Sequence, residues 1–182
     1  MKIIWITWPS AAGKGTVVEC LVEKLGFVHY SVSGYLTEQL QAQGKAINRD
    51  TMRVLADSLR AEFWPAYIIE QLYLQAEKNG KNAIIESIRA LGEVEILKKK
   101  SDFLLLSVNA DQKLRYERAI KRNSAKDQIT WEHFQEQEAL EAENQDPNKW
   151  NIVACQKLSD IQLDNNGSFE DLYKQIEGML GL

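Results

Sequence analysis

The chain has 182 residues, of which 45% are hydrophobic and 26% charged, with a formal net charge of −4. This fits one ordinary globular domain of roughly 100–200 residues, and the acid excess argues against general nucleic-acid binding. Two cysteines, Cys20 and Cys155, are too few for a disulfide framework or a four-ligand zinc site, and no apolar run reaches the roughly 18 residues that span a bilayer. The apolar start, Ile3 to Trp8, is too short for a secretory h-region, so the expectation is a reduced, soluble, cytoplasmic protein with no membrane partner.

Strand-like and helical segments alternate along the chain. Lys2–Thr7 (KIIWIT) predicts a first strand, a polar loop follows, and Lys14–Leu25 predicts a helix with Leu21 and Leu25 facing the core. Phe27–Tyr30 predicts a second strand. Helical stretches near Gly34–Gln43, Thr51–Phe63 and Pro65–Asn79 come next, with Pro65 suited to a first helical turn. Asn82–Ser87 (NAIIES) is the third strand, Ala90–Lys99 a helix, and Asp102–Val108 (DFLLLSV) the fourth strand. Asp111–Arg122 and Thr130–Glu143 predict helices, Asp160–Asp164 a fifth strand, and Ser168–Leu180 a last helix. Thr130 and Ser168 are suited to be N-caps, Ser168 with Asp171 three residues on. Short continuous apolar strands between helices predict a parallel α/β sheet covered on both faces. The expected organisation is a single domain over 1–182, with a helical insertion at about 34–79 between the second and third strands.

Charge is uneven. Asp111 to Lys126 carries six Lys or Arg against two acids, and Asp127 to Pro147 carries seven acids and no Lys or Arg. Two solvated helix faces account for this. An anion site beside an acidic flap also does, if a phosphate motif lies elsewhere in the chain.

Such a motif follows the first strand, in Trp8-Pro9-Ser10-Ala11-Ala12-Gly13-Lys14-Gly15-Thr16. It is nearly G-x-x-x-x-G-K-[ST], in a strand–loop–helix context. The chemistry needs backbone N–H groups turned toward an anion at a helix N-terminus, with a lysine to neutralise the outer phosphates.

SAAGKGT, with Ser33-Gly34, Glu86-Ser87-Ile88-Arg89, Arg118 and Arg122, resembles the P-loop nucleoside monophosphate kinase group. It is most similar to small adenylate kinase-like and dephospho-CoA kinase-like proteins, and the likeness runs nearly end to end. The resemblance implies a five-stranded sheet, γ-phosphoryl transfer from ATP with Mg²⁺ to a nucleotide or nucleotide-like acceptor, and a short lid at about 123–128. It assigns ATP phosphates to Ala12, Gly13, Lys14, Gly15 and Thr16, and the turn that meets the acceptor to Ser33 and Gly34. Arg89 would grip the acceptor phosphate through a fork-like contact. Arg118 and Arg122, four apart on one helix face, would neutralise the transferring group, and Thr16 and Glu86 would lie near the metal.

Each assignment has a plain rival. Arg89 is otherwise a solvated loop residue, Arg118 and Arg122 are paired surface charges, and Glu86 is a structural strand-end carboxylate. His29 and His133 have no ligand or catalytic spacing and read as structural.

The chain also departs from the family. Trp5, Trp8 and Trp64 stand where members usually have Gly, and Trp8 replaces the first glycine of the loop. Glu38 and Gln137 stand where arginines are common, and Tyr35 where Asp is usual, which puts AMP as acceptor in doubt. Arg49, Arg53 and Arg60 are candidate replacements, though helical surface arginines read the same way. Two other functions stay open on the same fold: a non-catalytic nucleotide-binding or regulatory protein, and a kinase for a non-nucleotide metabolite.

Overall fold

The computed structural model describes residues 1–100, 103–122, 130–146 and 149–181. Asn123–Gln128, the expected lid, lies outside the described residues.

All five predicted strands form: β1 Ile3–Thr7, β2 Val28–Tyr30, β3 Ala83–Glu86, β4 Phe103–Asn109 and β5 Ile161–Asp164. They pair in parallel in the order β2-β3-β1-β4-β5. β1 is therefore central, and all five of its residues are buried. Its side chains alternate between two cores, as the pleat dictates. Ile3 and Trp5 share one face with Ile85, Leu105, Ile68, Leu72 and Tyr73. Ile4 and Ile6 share the other with Ile84, Leu106, Val17, Leu21, Leu172 and Ile176. The strand order reverses at β1, so the carboxyl ends of β1, β3 and β4 open on the crevice where such sheets bind ligands.

The helices are α1 Lys14–Glu19, α2 Val32–Ala42, α3 Arg49–Glu62, α4 Tyr67–Asn79, α5 Leu91–Leu97, α6 Gln112–Arg122, α7 Trp131–Ala142, α8 Ile152–Lys157 and α9 Phe169–Leu180. A π-helical turn, Cys20–Lys24, carries α1 onward, so the predicted Lys14–Leu25 helix is not uniform. Thr130 and Ser168 cap α7 and α9 as the sequence suggests. Pro65 does not start a helix. It lies in a turn closed by Tyr67 N–H to Trp64 C=O at 3.0 Å, and α4 begins at Tyr67. Helix α8 has no counterpart in the sequence reading. Six residues give too few turns for apolar periodicity to register. Asn151 caps it, accepting from Ala154 N–H at 3.0 Å, and Ile152 and Cys155 bury it against the sheet.

Both cysteines are buried and unpaired. Burial, with Glu93 adding to it, pushes the Cys155 thiol up to about 12, so it stays protonated and packs as a small apolar residue. No helix among the described residues is long and apolar enough to cross a membrane.

Two of the three tryptophans at expected glycine positions are accommodated by neighbours. The Trp5 indole is fully buried, stacks on Tyr73 with ring centroids 5.9 Å apart, and meets Phe103 at 6.0 Å. Trp64 is 42% exposed, and its Nε1–H donates to Glu70 Oε2 at 2.5 Å with Tyr67 edge-on. Tyr35 is buried in the α2–α4 side of the core, where burial and the Tyr67 hydroxyl push its phenol up to about 12.

Candidate functional site

The loop between β1 and α1 is built around two unusual backbone positions. Gly13 has φ +103°, and Ala11, without glycine's freedom, has φ 56°. A side chain on Gly13 is excluded twice over, since an ideal Cβ there would lie 2.0 Å from Asn165 Nδ2. Ala12 N–H closes a turn onto Pro9 C=O at 3.3 Å, and Gly13 C=O accepts from Val17 N–H at 3.3 Å to start α1. The loop thus delivers bare backbone to a helix N-terminus, where N–H groups are in excess.

A cavity of about 480 Å³ opens over this loop. Ala11, Ala12, Gly13, Lys14, Gly15 and Thr16 form its floor, and Arg118, Lys121 and Arg122 of α6 supply positive charge along its wall. The Arg118 Nη2 donates to Asn165 C=O at 2.9 Å, while its Nη1 is buried with no hydrogen-bond partner among the described residues. A buried donor without an acceptor is costly in a finished core. The arginine as a whole borders the cavity together with Lys14, Lys121 and Arg122, a concentration of positive charge that suits an anion.

Glu86 ends β3 beside β1, paired in register with Ile6, and is 7% exposed. Lys14 forms an ion pair with its Oε2, and His29 Nε2 on β2 lies 3.5 Å from the same oxygen. Burial by itself pushes the Glu86 carboxyl up. The hydrogen bonds and charges of His29 and Lys14 outweigh it and hold the group below the ordinary glutamate range. Glu86 is therefore an ionised oxygen ligand close to the loop, which suits a hard cation such as Mg²⁺. Among the described residues no group of three or more His, Cys, Asp or Glu could hold a metal alone. Mg²⁺ characteristically takes most of its shell from phosphates and water. His29, read from the sequence as merely structural, reaches this site because β2 lies beside β3, a neighbourhood that spacing does not reveal.

Arg89 follows β3 after a left-handed Ser87 at φ 89°. Its main chain is fixed on both sides: its N–H donates to Glu93 Oε2 at 2.9 Å, and its C=O accepts from Asn151 N–H at 2.7 Å. Its guanidinium lies between two indoles, 5.3 Å from the Trp8 ring centroid and 4.3 Å from that of Trp150, with Glu141 at 3.8 Å. Burial draws the guanidinium below its ordinary value against the pull of Glu141, Glu93 and Glu86, and it remains a cation. Trp8 also lies 5.0 Å from Lys14 Nζ. An indole at the loop's first position can fold inward or swing outward; Trp8 lines the loop's cavity, and its ring has both the loop lysine and Arg89 as cation–π neighbours.

The other expected residues fall less centrally. Ser33 and Gly34 occupy the first turn of α2 and do not line the loop's cavity, and Gly34 N–H is already used by the Ser31 cap at 2.9 Å. Glu38 and Gln137 are exposed. Arg60 pairs with Asp57 at 3.8 Å, one turn away on α3. The acidic run on α7 does not stand apart as a flap. Glu138 pairs with Arg115 and Glu141 faces Arg89, so α7 matches charges on its neighbours. The loop contacts of Arg115 and Asn165 escape sequence reading altogether, because Ser10 and Ala12 are more than 100 residues distant from them.

A five-stranded parallel sheet of this order, with a Gly-Lys-Gly-Thr loop entering a helix at its switch point, is an α/β P-loop NTPase fold of the kind that binds nucleotides with Mg²⁺. Within that class the chain belongs to the AAA domain family (AAA_17), whose model matches residues 9–135. It is similar to a UPF0200 protein of Staphylothermus marinus, 27% identical over 94% of this chain and 87% of that one. A UPF0200 protein of Methanocaldococcus jannaschii is also 27% identical, over 99% and 89% of the two chains. Among solved structures, TT1252 from Thermus thermophilus superposes with a TM-score of 0.67 at 18% identity, covering 99% of this chain and 96% of that one. The dephospho-CoA kinase of Campylobacter jejuni does so at 0.54 and 15%, with 99% and 96% covered. The shikimate kinase of Aquifex aeolicus gives 0.53 and 14%, with 98% and 96% covered. These likenesses place the fold in the P-loop kinase-like group.

Proposed function

We propose that the chain transfers the γ-phosphoryl group of ATP to a nucleotide or nucleotide-like acceptor. The observation that carries this reading is the convergence, over one cavity, of the loop's backbone, Lys14 and the α6 cations Arg118, Lys121 and Arg122. Phosphoryl transfer asks little covalent chemistry of a protein and much positioning and charge neutralisation. Ala12, Gly13, Gly15 and Thr16 hold the phosphate chain through backbone and hydroxyl groups. Lys14 leaves Glu86 for the outer phosphates, which frees the carboxylate. Glu86 and the Thr16 hydroxyl are then the chain's own contribution to Mg²⁺, which supplies charge neutralisation on the phosphates. Arg118 and Arg122 neutralise the transferring group, and Arg89 holds the acceptor phosphate, with α2, α3 and α4 on the acceptor side.

The deciding experiment is ATP consumption across nucleoside monophosphates, deoxynucleotides and dephospho-CoA. Shikimate and gluconate are added because kinases for them share the fold. Turnover with one nucleotide-like acceptor is the expected result. Turnover only with a sugar acid or shikimate would move the activity to non-nucleotide metabolites, and ATP binding without turnover on any acceptor would make the chain a binding protein.

Arg89→Lys keeps the charge and loses the fork. The expected result is impaired acceptor use with ATP affinity nearly intact, read from the acceptor KM and from ATP calorimetry. Equal loss on both sides would deny Arg89 this role.

One observation favours the non-catalytic reading: the Trp8 indole lines the loop's cavity and lies against both Lys14 and Arg89, the cations assigned to the outer phosphates and to the acceptor phosphate. Trp8→Gly is expected to raise ATP affinity and turnover together, as the indole's volume leaves the cavity. Unchanged affinity and turnover in that variant would mean that the indole is not an obstacle but part of another function.

A further inference from the structure

Two carbonyls of the loop are held by side chains that no sequence motif marks, one of them from the side away from the loop's cavity. Arg115 of α6, 7% exposed, donates from Nη1 to Ser10 C=O at 3.1 Å and from Nε to Ala110 C=O at 2.8 Å. Asn165, 3% exposed, donates from Nδ2 to Ala12 C=O at 2.8 Å, and its own main chain is tied to Asn109 at 2.8 Å and to Arg118 at 2.9 Å. A trans peptide is planar, so its C=O and the next N–H point in opposite directions. Among the described residues no peptide bond is cis. Holding Ser10 C=O against Arg115 therefore turns Ala11 N–H the other way, and holding Ala12 C=O against Asn165 does the same for Gly13 N–H. For Arg115 the cavities agree with this geometry: Ser10 and Arg115 line a cavity on the α7 side, whereas Ala11 lines the one over the loop, which Asn165 itself borders beside Gly13.

Arg115 is in turn held by α7. Glu138 receives its guanidinium through both carboxylate oxygens, and Gln112 Nε2 donates to Glu138 at 3.0 Å. Tyr116 of α6 packs on Trp131 and Phe134 of α7, with ring centroids 5.2 and 5.5 Å apart, and keeps the two helices in register. Ala11 has a reason to need such support. An alanine at φ 56° is strained, and such a position persists only where its surroundings over-determine it.

We infer that Arg115, held by Glu138, and Asn165 are positioning residues that aim the loop's N–H groups at the anion, so that the seating of α7 sets phosphate affinity. This rests on the phosphate-binding reading of the loop. Because Arg115 and Glu138 line the other cavity, an effect of theirs on phosphate affinity is transmitted through the loop rather than made by contact.

The test uses the full chain titrated with inorganic tripolyphosphate by calorimetry, with thermal unfolding recorded alongside. Arg115→Met alone strands a buried Glu138, so the decisive variant is R115M with E138L, which removes the pair without leaving a charge behind. Its tripolyphosphate Kd is expected to rise on the order of ten-fold or more, as when groups that orient a binding site are lost. Its cooperative unfolding is expected to persist. Asn165→Ala is expected to weaken binding as well, but because Asn165 borders the loop's cavity the R115M/E138L pair decides the inference. A purely structural pair would shift the unfolding temperature and leave the Kd of the folded protein unchanged, which would overturn the inference. Failure of the unaltered chain to bind tripolyphosphate would overturn the phosphate-loop reading, and this inference with it.

Discussion

Lys14→Ala is expected to weaken ATP binding by about 2–4 kcal/mol, as loss of one partner from a desolvated charge pair does. That is roughly a 30- to 800-fold rise in Kd. Lys14 is the first residue of α1, where the helix N-terminus already repels a cation. The chain tolerates it because Glu86 lies opposite and His29 supports the same carboxylate. A lysine held in an unfavourable place by a buried acid is poised to exchange that acid for phosphate. The alanine variant removes the cation that would meet the outer phosphates. Calorimetry with ATP in the presence of Mg²⁺ measures the loss, and unchanged affinity would end the phosphate-loop reading.

Trp5→Ala is expected to destabilise the fold by about 3–5 kcal/mol, the usual cost of emptying a buried aromatic site. Bulk added to a finished layer costs about 1–3 kcal/mol, but here the layer is built around the indole. Tyr73 and Phe103 form an aromatic layer around the indole, and the helix and strand partners of β1 close over it. The indole N–H is buried without a partner among the described residues, which offsets part of the gain and draws the cost toward the lower end of that range. Restoring glycine at positions 5, 8 and 64 together would therefore combine a loss of stability at Trp5 with a gain of loop space at Trp8. The single Trp8→Gly variant is the cleaner probe of nucleotide binding. Urea unfolding of Trp5→Ala checks the first term, and a midpoint equal to that of the unaltered chain would show that the surrounding layer collapses without cost.

The strand–helix alternation, the central buried β1 and the Gly13-Lys14-Gly15-Thr16 entry into a helix are all visible in the sequence. Each rests on a pattern within a few residues: apolar runs, turn chemistry, or glycine where backbone must bend. Arg89 is singled out by resemblance, and what the structure shows of that reading is its place just after β3. What tertiary structure alone decided is which distant groups meet at those positions. Parallel pairing sets β2 beside β3 and brings His29 to Glu86. The short bridge between Ala90 and Trp150 lays a second indole on Arg89. The docking of α7 on α6 aligns Glu138 with Arg115, and the turn after β5 delivers Asn165 to the loop. These contacts depend on buried complementarity between segments tens to more than a hundred residues apart. Neither helical nor strand periodicity encodes which partner a buried polar group will find, because that choice is made only when the packed layers bring its possible acceptors within reach.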